Sequence, residues 1–359
     1  MRVSGTPLLG ELRRLIAHEG PISVERYMAL CLGHPVHGYY RTRDPLGAAG
    51  DFTTAPEISQ IFGELLGLWT AEVWHGLGRP EAFRLVELGP GRGTLMADAL
   101  RALRAAAPDC LAAAELHLVE TSPVLRAAQA RALTGAAPTW HDGIDTLPGG
   151  PMIALANEFF DALPVRQYQR TARGWCERRI GLGPDDALAF GLSPDPTPEI
   201  AADRADGAIL TLPAVALDLT RQLAGRLARE GGALLAIDYG DLYGGTADTL
   251  QAVARHRFAD PLAAPGETDL TAQVDFAALA RAAAGEGAVV HGPVTQADFL
   301  LSLGLAQRAE RLAARADSAQ AAAVRAGAER LTDRATRGMG HLFKVMGLAG
   351  PNQPALPGL

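Results

Sequence analysis

An α/β fold, with a mainly parallel doubly wound sheet, is predicted by three features. From residue 84 short apolar runs alternate with Ala- and Leu-rich helical stretches. Runs such as "MIALA" are apolar on every residue, as strands covered on both faces require. The chain has 359 residues and is 48% hydrophobic, enough for a main domain with a substantial elaboration or for two domains.

The elements follow in order. Residues 7–32 read as two helices broken at Gly20-Pro21. A Gly-, Pro- and aromatic-rich loop leads to "PEISQIFGELLGLWTAEVWHGL", whose Ile58, Ile61, Phe62, Leu65, Leu66 and Trp69 have helical spacing. Thr54 with Glu57 three residues on predicts a capping box for that helix. "RLVEL" is a strand, 94–106 a helix and "ELHLVE" a strand. In the next helix Ser122 is the N-cap and Pro123 the first residue. "APTWHDG" and "PMIALANEFF" add two strands. Residues 166–213 change texture to short strands and Pro-rich turns, an inserted β-rich region. Alternation resumes with a helix over "AVALDLTRQLAGRLARE", the strand "GALLAIDYG", the loop "APGETDLTAQ" leading to a helix, the strand "AVVHGPVT" and an Arg/Ala-rich helical stretch over 296–335. The organisation expected is an N-terminal helical cap over 1–80, a core over 81–165 and 214–350, and the insertion over 166–213.

Charge and composition narrow the function. A net charge of −7 opposes nucleic-acid binding by phosphate neutralisation. Cys31, Cys110 and Cys176 form no CxxC pair and no HxxxH occurs, so no metal site is expected. No apolar run approaches the ~18 residues of a membrane span, and the first twenty residues have no signal or transit character. A cytoplasmic enzyme is the expectation.

"VELGPGRGTL" carries the chemistry. Gly89, Gly91 and Gly93 have G-x-G-x-G spacing, Thr94 stands where a third dinucleotide glycine belongs, and no P-loop Lys-Ser/Thr follows. That favours a ligand approached closely by backbone but lacking a phosphate, such as S-adenosylmethionine. Glu87 could pair with its α-ammonium, Glu120 accept from its ribose hydroxyls and Asp142 receive its adenine amino group, at three consecutive strand ends. "DFTTAPEISQ" sets Asp51, Thr53, Thr54, Glu57 and Gln60 before a helix, where they could close over the cofactor or simply cap the helix. The next strand ends in Asn157, Glu158, Phe159, Phe160 and Asp161. Asn157 and Phe160 match the ends of the Asx-Pro-Pro-aromatic motif of amino-group methyltransferases. Glu158 and Asp161, three residues apart, suit a guanidinium fork; an N-cap cluster is the plainer reading. Asp238, Tyr239 and Gly240 could line the acceptor channel or form a buried structural pair, and His141 reads as a structural neighbour rather than a base.

The blocks "GPISVERYM", "GYY", "GDFTTAPEISQIFGELLGLW", "VELGPGRGTL", "NEFFDALPV", "DYG", "APGETDLTAQVDF" and "FLLSLG" resemble the MidA family of S-adenosylmethionine-dependent methyltransferases, over roughly residues 20–346. The resemblance implies a Rossmann-like class I methyltransferase domain, with S-adenosylhomocysteine as the spent cofactor. It also implies symmetric dimethylation of an arginine in the 49-kDa-type subunit of NADH:quinone oxidoreductase during complex I assembly. Gly89, Gly91, Gly93 and Glu120 would then contact the cofactor, and Glu158 and Asp161 would face the acceptor. The rivals are a methyltransferase for another protein or small-molecule nitrogen, a non-catalytic assembly chaperone that keeps the cofactor site, and, more distantly, an NAD-dependent oxidoreductase.

Overall fold

The computed structural model describes residues 5–42, 53–200, 203–242, 247–254 and 257–359. They form two compact units: residues 1–52, 161–218 and 243–275 build the first, and residues 53–160, 219–242 and 276–359 the second.

The second unit contains the doubly wound sheet. We number its strands β1 (Phe83–Leu88), β2 (Ala114–Val119), β3 (Thr139–His141), β4 (Met152–Asn157), β5 (Gly232–Asp241), β6 (Val289–Thr295) and β7 (Phe343–Ala349). Their order is β6-β7-β5-β4-β1-β2-β3. β1 to β5 run parallel, and β7 is antiparallel to both of its neighbours. The order turns back between β1 and β4, which puts the crevice of an open α/β sheet at their carboxyl ends. Every residue of β4 is buried, as its unbroken apolar run predicts.

The helix Gln60–Gly76 has buried residues on all sides and belongs to the core of this unit. It crosses the helix Thr94–Ala106 at backbone distance. A Cβ on Gly63 would stand 2.6 Å from Asp98 Cβ, and one on Gly67 would stand 2.5 Å from the Ala99 carbonyl oxygen. Only glycine permits that approach.

The expected long helix is in fact two. Ala55–Ile58 is a separate turn, and Ser59, in extended backbone, caps Gln60–Gly76 by accepting from the Ile61 amide. The Thr54–Glu57 capping box is absent: Thr54 occupies the N-cap position without a side-chain bond, because Glu57 has found partners elsewhere. Ser122, by contrast, caps its helix by accepting from the Leu125 amide, with Pro123 first.

In the first unit the helices Pro7–Glu19 and Val24–Gly33 share a core with strands of the insertion and of residues 250–272. Ile22–Ser23, between the helices, pairs with Ile180 and Arg179. "APGETDLTAQ" is not wholly loop, since Asp269–Ala272 is a buried strand paired with Leu250–Ala254. The unit boundaries therefore differ from the three-part division expected from texture. Residues 53–80 belong with the sheet, while residues 5–42 join the insertion, because Leu8, Leu12, Tyr27 and Met28 are buried beside Val165 and Ile180.

Candidate cofactor and acceptor site

The glycine turn leaves β1 with Gly89, Gly91 and Gly93 all at positive φ (62°, 53° and 83°), a conformation that costs other residues about 1–2 kcal/mol each. Gly93 caps the helix Thr94–Ala106. A Cβ on Gly89 would lie 2.8 Å from the Phe159 ring, so the turn after β1 and the turn after β4 touch through glycine.

Two buried carboxylates flank the turn in sequence and strand order, Glu87 on β1 and Glu120 after β2. Glu87, on β1, is 3% exposed, and its Oε2 is buried with no hydrogen-bond partner among the described residues. Burial and, secondarily, the Glu120 carboxylate push its pKa up to about 8. Glu120 follows β2 and is also raised by burial. It accepts from the Ser122 amide at 2.7 Å and from Gln129 Nε2 at 3.2 Å. Gln129 also donates to the Gly91 carbonyl at 2.8 Å, and its Oε1 accepts from Trp140 Nε1 at 2.8 Å. One buried amide thus ties glycine turn, Glu120 and β3 together. A buried acceptor without a donor among the described residues, beside a turn with glycine at 89, 91 and 93, fits a cation that approaches where no Cβ stands. The α-ammonium of S-adenosylmethionine meets that description, and Glu120 has the lone-pair capacity for ribose hydroxyls.

Asp142, after β3, is mostly exposed and paired with Arg126 at 2.7 Å, while Arg126 Nε donates to the Glu120 carbonyl at 2.7 Å. His141 is buried against His117, ring nitrogens 3.0 Å apart, which is a structural position.

At the end of β4, Asn157 is 9% exposed; its Nδ2 donates to Glu158 Oε1 at 3.2 Å, and its Oδ1 is buried with no hydrogen-bond partner among the described residues. Glu158 has φ 51°, uncommon for a residue with a side chain. Such backbone persists only where its surroundings over-determine it, and here they do. The Glu158 amide donates to the Ile237 carbonyl at 2.8 Å, and the next two amides both donate to Asp238 Oδ2, at 3.1 Å from Phe159 and 2.9 Å from Phe160. Asp238 is fully buried and also accepts from the Tyr239 amide at 2.9 Å. Asp238 thus holds the backbone of the turn that carries Phe159 and Phe160.

The "TTAPEISQ" segment is drawn into the same region. Glu158 Oε1 accepts from the Ala55 amide at 3.1 Å. Glu57 Oε1 accepts from Thr94 Oγ1 at 2.6 Å, with Arg92 of the glycine turn 3.7 Å from its Oε2. Thr53 and Thr54 are half-buried beside Ala55. Gln60 instead donates to Glu64, one helical turn on, at 3.2 Å. Asp51 lies outside the described residues. Asp161 belongs to the first unit, where it is buried and its carbonyl accepts from the Ala272 amide at 2.9 Å. The boundary between the two units falls between Phe160 and Asp161. Sequence reasoning missed Gln129, Thr94 and Phe159. No local signal marks Gln129, because a glutamine amid "RAAQARAL" reads as a surface residue.

Residues 65–294 match the family described as S-adenosyl-L-methionine-dependent methyltransferase. A Danio rerio protein named protein arginine methyltransferase NDUFAF7, mitochondrial, is 41% identical over 336 residues, covering 85% of this chain and 78% of that one. The Drosophila melanogaster homologue is 39% identical over 373 residues, covering 95% and 84%. The crystal structure of a Burkholderia thailandensis protein bound to S-adenosyl-homocysteine superposes with a TM-score of 0.84 at 32% identity, covering 98% of this chain and 94% of that one. No helix among the described residues is long and apolar enough to cross a membrane.

Proposed function

As the chain belongs to the S-adenosyl-L-methionine-dependent methyltransferases of the MidA family, we propose that it methylates a guanidinium nitrogen of a protein arginine. The substrate proposed is the 49-kDa-type subunit of NADH:quinone oxidoreductase, and the product symmetric dimethylarginine. Relatives named protein arginine methyltransferases, at 39–41% identity, support the arginine acceptor.

The observation that carries this reading is Glu158. An acid in left-handed backbone is held by Ile237, with the Asp238-bound turn behind it, and the Phe159 ring beside it abuts the glycine turn. Ala55 and Asn157 both donate to Oε1, which orients the carboxylate plane. A carboxylate so placed can accept from a guanidinium, localise its charge on one nitrogen and leave the other's lone pair better directed. Asn157 Oδ1, buried and in need of a donor, would take a further N–H. Glu87 would receive the donor's ammonium, Glu120 its ribose hydroxyls, and the glycines would admit its methionine part. When bound, S-adenosylmethionine supplies an electrophilic methyl on a sulfonium. The chain's part is then mainly alignment, and alignment accounts for much of the rate of such displacements.

The test combines the protein, labelled S-adenosylmethionine and lysate from a strain lacking it. One labelled band of the 49-kDa-type subunit's mass, with label in dimethylarginine, is expected. Glu158→Gln should abolish it while keeping S-adenosylhomocysteine affinity within about threefold. Labelled small molecules with no labelled protein would overturn the protein-arginine reading.

A further inference from the structure

The short helix Ala55–Ile58 touches both halves of the candidate site through two different carboxylates, all within one compact unit. Its own Glu57 reaches the cofactor side, accepting from Thr94 Oγ1 at 2.6 Å and lying 3.7 Å from Arg92. Its first amide reaches the acceptor side, donating to Glu158 Oε1 at 3.1 Å. The helix is also backed closely: a Cβ on Gly327 would stand 3.2 Å from the Ile58 carbonyl oxygen, and Ala55 is fully buried. Through Ser59 it continues into Gln60–Gly76, which the Gly63 and Gly67 approaches lock against Thr94–Ala106. The segment is thus bonded to the glycine-turn side through Glu57 and to Glu158 through the Ala55 amide, and packed along its back.

We propose that Glu57 is a positioning residue: through Thr94 and the Ala55–Ile58 helix it couples occupation of the glycine turn to the placement of the Glu158 carboxylate. Glu57 touches no substrate in this scheme. It holds the turn in its cofactor-receiving shape and passes that order to the Ala55–Glu158 bond. The inference rests on the methyltransferase reading above for the identity of the two sides, and deepens it.

The experiment uses the full chain and S-adenosylhomocysteine, with no acceptor. Glu57→Ala and Thr94→Val should each weaken binding about tenfold, the scale of one charge-assisted hydrogen bond. The double variant should be no weaker than either alone, because both remove the same bond. Thr94→Ser, which keeps the hydroxyl, should bind like the parent. At saturating S-adenosylhomocysteine, exchange of the Ala55 amide should slow in the parent and not in Glu57→Ala, a readout that general loosening of the fold does not predict. Additive losses, or equal slowing of Ala55 in both proteins, would overturn the coupling. Failure of the parent to bind S-adenosylhomocysteine would instead overturn the cofactor assignment, and an unlabelled arginine in the lysate assay would leave this binding test standing.

Discussion

One oxygen of the Asp238 carboxylate accepts the backbone amides of both Phe159 and Phe160, at 3.1 and 2.9 Å, across separations of 79 and 78 residues. The turn after β4 is therefore shaped by the strand beside it.

Removing that acceptor strands buried amides. Asp238→Ala should lower the unfolding free energy by about 3 kcal/mol, since each orphaned donor costs ~1–3 kcal/mol. Asp238→Asn, which retains one carbonyl acceptor, should lose less. Urea denaturation measures both; a loss below about 0.5 kcal/mol for the alanine variant would mean that the turn finds other acceptors.

Gly89→Ala would place a methyl 2.8 Å from the Phe159 ring at a φ of 62°. Calorimetric S-adenosylhomocysteine affinity should fall at least about tenfold, on top of ~1–2 kcal/mol of backbone strain. Gly78→Ala is the control: its φ is 80°, but nothing lies within 4 Å of the new Cβ. It should cost stability and leave affinity intact.

Glu87 predicts a proton linkage. With its pKa pushed from 4.5 up to about 8 by burial and by Glu120, the free protein holds it protonated at pH 7. Pairing with an ammonium requires the anion, so binding should release a proton below pH 8 and cease to do so above it. Calorimetry in buffers of differing ionisation enthalpy reads this directly, and Glu87→Gln should abolish it. The same raised pKa contributes stability that is complete below 4.5 and lost as pH rises through about 8. Glu87→Gln should accordingly flatten the fall of a melting-temperature profile between pH 4.5 and about 8.

The His117–His141 pair gives the opposite slope. Burial is the largest cause lowering both from 6.5; His141 adds to it at His117, and Arg126 at His141. Arg84 and Arg226 push His117 the same way, while Glu115 opposes at His117 and Asp142 at His141. Their neutral forms are favoured in the fold, so this stability is present above 6.5 and lost as pH falls through the depressed values. The melting temperature should drop below pH 6.5, and His141→Gln should reduce that drop. An unchanged acid limb would place the linkage on other groups.

The strands that carry Glu87 and Asn157 and precede Glu120 were legible because apolar runs and their polar stops are local. So were Ser122 and Pro123, whose capping needs only the next three residues. Glu57 was misread for the complementary reason. Its spacing from Thr54 permits a capping box, but Thr94, 37 residues on, is brought within 2.6 Å and wins the carboxylate. The Asp269–Ala272 strand escaped because "ETDLTA" has turn-like composition and gains its strand character only by pairing with Leu250–Ala254.

By itself the sequence determined the α/β alternation, the glycines at positive φ and the acids at the strand ends, since strand period and the steric freedom of glycine act within a few residues. Tertiary structure alone decided which acid meets which donor. It gave Asp238 to the Phe159–Phe160 turn, Glu57 to Thr94 and Glu158 to Ala55. A carboxylate bonds whatever donor the fold delivers to its buried position, and sequence distance does not limit that delivery.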